Sequence, residues 1–100
     1  MENIKEYLKK EILEEIQKIQ GDIKKSNEEI KIWEAKIKVE ERLEDFKDLN
    51  EEMENDVKYG ILALKDFLLM ERNKIEELNK EFELLRRRKQ VLDKFEEQDL

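Results

Sequence analysis

Cysteine, histidine, proline and threonine are absent from these 100 residues, and Ser26 is the lone serine. Without cysteine there is no disulfide framework, no thiolate nucleophile and no thiolate metal site. Without histidine, acid–base chemistry falls to Asp, Glu, Lys and Tyr, so neither catalysis, a cofactor nor a metal is expected. Long apolar runs are missing as well. The longest are Ile61–Leu64 and Phe67–Met70, against the ~20 residues that a membrane-spanning helix needs. The opening Met-Glu-Asn-Ile-Lys-Glu lacks the basic-then-apolar pattern of a signal peptide. No membrane partner is expected, and the cytoplasm is the expected location. The lack of proline removes the commonest cause of a break in a long helix.

Charge is abundant. Charged residues make up 49% of the chain and apolar ones 38%, too lean for a thick globular core. All of the net charge of −7 sits between Glu40 and Asp56, where nine acids face two bases. The 28 acids less nine, and the 21 bases less two, leave nineteen of each sign in the flanks. A neutral–acidic–neutral layout predicts two long helices joined through an acidic bend.

Apolar spacing supports this. Ile12, Ile16, Ile19, Ile23, Ile30, Trp33 and Ile37 recur at steps of three and four, with Ser26 in the missing step. Ile61, Leu64, Leu68, Ile75, Leu78, Phe82, Leu85 and Leu92 form a second seam, interrupted by Glu71 and Lys89. Both are heptad seams. Gly21 lies off the seam and the phase continues through it, so it reads as a solvent-facing helical glycine costing roughly 1 kcal/mol. Ser26 with Glu29 matches a capping box, which leaves a break near residues 21–26 as the alternative. Leu43, Phe46, Asn50, Met53 and Val57 follow a phase that joins neither seam. With Asp48, Asn50 and Asn55 as capping candidates, the bend is predicted at about 48–56, between helices at about 2–48 and 56–97.

The expected fold is a single all-α domain: a long, coiled-coil-like antiparallel hairpin that dimerises into a four-helix arrangement. Folding back brings the seams into a register in which paired residue numbers add to 101, as for Ile16 with Leu85 or Trp33 with Leu68. The same register predicts attraction between Glu15 and Arg88, Glu29 and Lys74, and Glu34 and Lys65, with repulsion between Asp22 and Glu81. The rival is a straight helix of about 150 Å at 1.5 Å per residue, paired in parallel with a second copy. That rod would stack one acidic stretch on another.

Three groups of residues carry candidate function. Ile32, Val39, Leu62, Phe67, Leu69 and Met70 lie outside both seams, and a hairpin leaving them uncovered would associate. A homodimer and a further protein partner are therefore expected. Arg86, Arg87, Arg88 and Lys89 form the one basic run. They point around most of a helical turn, with Glu11, Glu14 and Glu15 brought near by the register. Pairing across the hairpin is the plainer account; contact with nucleotide or nucleic-acid phosphates is the alternative. The acidic bend contains Glu44, Asp45, Asp48, Glu51, Glu52, Glu54 and Asp56. It reads as a solvated connection, or as a surface for a basic partner. Glu41 and Glu44 match half of the magnesium motif of all-helical nucleotide pyrophosphatases. The second half would have to be Glu96 and Asp99, much too far along the chain. The sequence thus points to a non-enzymatic helical interaction protein: an adaptor, a chaperone-like factor or an inhibitor.

Overall fold

The structure, a computed structural model, describes residues 3–45 and 48–100. It is a helical hairpin of α1 (Ile4–Glu44) and α2 (Glu51–Lys94), followed by a short 3-10 helix, Glu97–Asp99, with no strand among the described residues. α1 runs unbroken through Gly21 and Ser26, and a Cβ added at Gly21 would meet nothing within 4 Å. The solvent-facing reading of that glycine holds, and the alternative break does not occur.

The helix ends differ from expectation. α1 stops at Glu44 rather than about 48, and α2 starts at Glu51 rather than about 56, so the predicted bend at 48–56 is largely helix. Asn50 decides where α2 begins. Its Oδ1 accepts the Met53 N–H at 2.8 Å and its carbonyl accepts the Glu54 N–H at 2.9 Å, an N-cap in geometry. Glu51, Glu52 and Glu54 then fill the first turn, where the helix dipole favours negative charge. Asn3 caps α1 in the same way, its Oδ1 accepting the Glu6 N–H at 2.8 Å. α2 ends at Lys94 rather than about 97. Phe46, part of the middle apolar phase, lies outside the described residues.

The chain divides into two compact units, Met1–Lys24 with Glu76–Leu100, and Lys25–Ile75. In the first, Ile19, Leu85 and Leu92 are buried, and Ile12, Ile16, Ile23, Leu78 and Phe82 are half-buried. The Ile4 N–H donates to Glu97 Oε1 at 3.1 Å, and Lys9 Nζ meets Asp93 at 3.0 Å. Lys5 Nζ donates to the carbonyl oxygens of Asp93 and Phe95, satisfying acceptors that the end of α2 leaves unpaired.

In the second unit Ile37, Val57, Ile61 and Leu68 are buried, with Ile30, Trp33, Leu64 and Ile75 half-buried between them. Trp33 stacks on Phe67, ring centroids 5.2 Å apart, and Lys36 Nζ lies 4.7 Å from the Trp33 ring centroid. Ile4 with Glu97, Lys9 with Asp93 and Trp33 with Phe67 lie within a residue of the expected register. The ion pairs expected along the flanks do not form. Among the described residues Glu34 bonds Arg72 at 3.3 Å rather than Lys65, and neither Glu15–Arg88 nor Glu29–Lys74 forms an ion pair. Lys65 and Arg72 lie one heptad apart on the same flank of α2, so both reach toward Glu34.

Candidate functional site

Exposed apolar surface is the dominant feature of the Lys25–Ile75 unit. Ile32, Val39, Leu62, Phe67, Leu69 and Met70 are between 48% and 65% exposed, although each sits mid-helix beside a buried seam. They do not form one stripe. Successive helical residues turn by about 100°, so Phe67 and Leu69 leave the buried Leu68 on opposite flanks. Phe67 goes to the side of Ile32, Val39 and Met70. Leu62 and Leu69 go to the other, where Leu69 shares a groove of about 530 Å³ with Glu34, Lys38, Lys65 and Arg72. Ile32 is level with Leu69, and Val39 with Leu62, but each pair straddles the seam.

The seam of this unit has a polar interruption. Ser26 is only 1% exposed, and its Oγ has no hydrogen-bond partner. Trp33 Nε1 and Glu71 Oε2 are likewise buried and unpartnered. In the register expected from the sequence these three residues fall in adjacent layers around Ile30.

The acids expected at the bend are all exposed. Glu44 closes α1, Asp45 and Asp48 lie in the connection, and Glu51, Glu52, Glu54 and Asp56 lie in α2. Among the described residues no group of three or more acidic side chains is placed to hold a metal ion.

The basic run is dispersed. Arg86 and Arg87 both bond Glu83 on their own helix, at 3.4 and 3.3 Å, rather than Glu11, Glu14 or Glu15 across the hairpin. Glutamates three and four residues back lie on the same face, so this pairing needs no cross-helix reach. Lys89 is half-buried at its seam position. Arg88 has no ion pair or side-chain hydrogen bond among the described residues. Tyr7 lies with Lys10, Glu11 and Glu14, away from these arginines.

A second apolar groove occupies the Met1–Lys24/Glu76–Leu100 unit. Its walls are Leu8 and Ile12 of α1 with Leu84 and Val91 of α2, and Arg87 and Arg88 stand beside them. The sequence pattern contains the signal for it: Leu84 and Val91 are one heptad apart and off the seam, as Ile32 and Val39 are. No helix among the described residues is long and apolar enough to cross a membrane. No protein-family model, curated protein or solved structure matches the chain.

Proposed function

We propose that the chain is a non-enzymatic helical interaction protein, an adaptor, chaperone-like factor or inhibitor. It acts by binding another macromolecule, and it pairs with a second copy of itself. The observation that carries this is the exposure of Ile32, Val39, Leu62, Phe67, Leu69 and Met70 at mid-helix. Burying one such side chain is worth roughly 1.5–3 kcal/mol, and several of them exposed on each flank of a helical surface mark an association site. Pairing of two hairpins into a four-helix arrangement would cover one flank and leave the other for a different partner. A cytoplasmic setting belongs to the same proposal. The phosphate-binding alternative has less support, because Arg86 and Arg87 are engaged by Glu83 and Lys89 faces the seam.

Two double substitutions test the proposal, one on each flank: Ile32→Glu with Met70→Glu, and Leu62→Glu with Leu69→Glu. Light scattering should give the wild type a mass above the 12.3 kDa of one chain. One double variant should fall to that mass while keeping its helical circular dichroism. The other should remain paired but lose partners captured by the wild type from its native source. A wild type that stays monomeric at high concentration, with capture unchanged in both variants, defeats the proposal.

A further inference from the structure

The groove in the Met1–Lys24/Glu76–Leu100 unit has a volume of about 430 Å³, and the chain beyond α2 closes one end of it with Phe95 and Leu100. Its apolar walls are not sealed: Leu84, Val91, Phe95 and Leu100 remain 40–53% exposed. Two guanidinium groups, from Arg87 and Arg88, line the same groove. The bond from Arg87 to Glu83 is solvent-exposed and therefore weak. Arg88 has no acidic partner among the described residues. An apolar floor beside Arg88, which is unpaired among the described residues, and Arg87, held only by an exposed bond to Glu83, is a cationic spot on a chain whose net charge is −7.

We propose that this groove receives an acidic amphipathic helix of a partner protein, its apolar anchors on Leu8, Ile12, Leu84 and Val91 and its carboxylates on Arg87 and Arg88. This rests on the interaction-protein proposal and names the chemistry of one partner. The exposure of the walls favours a helix over a small amphiphile. A fatty chain lying in so open a groove would keep much of its length in water, whereas a helix about 10 Å across reaches both walls. Length agrees: from Leu84 to Phe95 the floor runs ~16 Å, or about three turns of a docked helix. That leaves room for anchors spaced i, i+3 or i+4, and i+7, which span about 10.5 Å. Charge selects an acidic helix, because a guanidinium fork matches a carboxylate and like charge on the partner would be repelled. Nucleic acid would need a track of cations, and Arg86 and Lys89 do not extend this one.

The test uses the full chain and a fluorescent helical peptide of about 15 residues, with leucines at three- and four-residue spacing and glutamates beside them. A matched peptide carries lysines in place of the glutamates. Fluorescence anisotropy should show binding of the acidic peptide alone. Affinity should fall roughly five- to tenfold in the Arg87→Ala/Arg88→Ala variant and at least tenfold in Val91→Glu. Circular dichroism checks that both variants keep their helices. The Leu62→Glu/Leu69→Glu variant should bind the peptide like wild type, which separates this proposal from a failure of the other unit's surface. Absence of binding, equal binding of the lysine peptide, or indifference to Val91→Glu overturns the proposal. Displacement of the peptide by dodecanoate below its micelle threshold would assign the groove to a small amphiphile instead. A change in self-association on Val91→Glu without peptide binding would assign it to a second copy of the chain.

Discussion

Asp93 joins two helix ends through one carboxylate. Lys9 Nζ reaches it at 3.0 Å, while Lys5 takes up the main-chain oxygens around it. The hydrogen bond from Lys9 holds the Asp93 carboxyl below its ordinary value of 3.8; the charges of Lys9, Lys89 and Lys5 act in the same direction, and desolvation opposes them. The folded chain therefore binds this proton less readily than the unfolded chain does. Stability drawn from Asp93 is fully present above pH 3.8 and is lost as pH falls through the lowered folded value. Asp93→Asn should melt at a lower temperature than wild type at neutral pH, and the gap should close as the solution is acidified below pH 3.8. Thermal melts at several pH values decide the matter. A gap that stays constant down to the acid limit would mean that the carboxylate contributes nothing through its charge.

At the scale of the helix, the seams were legible because burial follows spacing. Ile19, Ile37, Ile61, Leu68, Leu85 and Leu92 were all placed on a seam by their three–four steps, and all are buried. Helix ends were less legible. Asp48, Asn50 and Asn55 are comparable capping residues by type, and only the bond from the Met53 N–H to Asn50 selects among them. Ion pairs were hardest to read, since heptad spacing offers Glu34 both Lys65 and Arg72 and long side chains settle the choice locally. The candidate interface was legible as residues but not as a surface, because equal height along the hairpin does not reveal the flank. Glu71 is the seam's clearest departure from its own pattern, a half-buried carboxylate with Oε2 unpartnered. Such an atom loses its hydration without a replacement bond. Glu71→Leu restores the heptad and should stabilise the hairpin by about 1–3 kcal/mol, raising Tm by roughly 4 °C or more. Loss of stability in that variant would show that Glu71 makes a bond essential to the seam.

For the whole molecule, charge and apolar surface act against each other. Each chain carries −7, so bringing two copies together costs electrostatic energy that falls as salt shortens the screening length to about 10 Å at 0.1 M. Contact between apolar flanks is insensitive to that screening, and salting-out anions strengthen it. Self-association should therefore tighten as sodium chloride rises from roughly 0.05 to 0.5 M. Binding of an acidic helix at Arg87 and Arg88 depends on attraction instead, and should weaken over the same range. Two associations of one chain would then respond to salt with opposite sign. Sedimentation equilibrium follows the first and peptide anisotropy the second, in the same buffers. Self-association that weakens with salt would place its origin in ion pairs between copies rather than in Ile32, Val39, Leu62, Phe67, Leu69 and Met70.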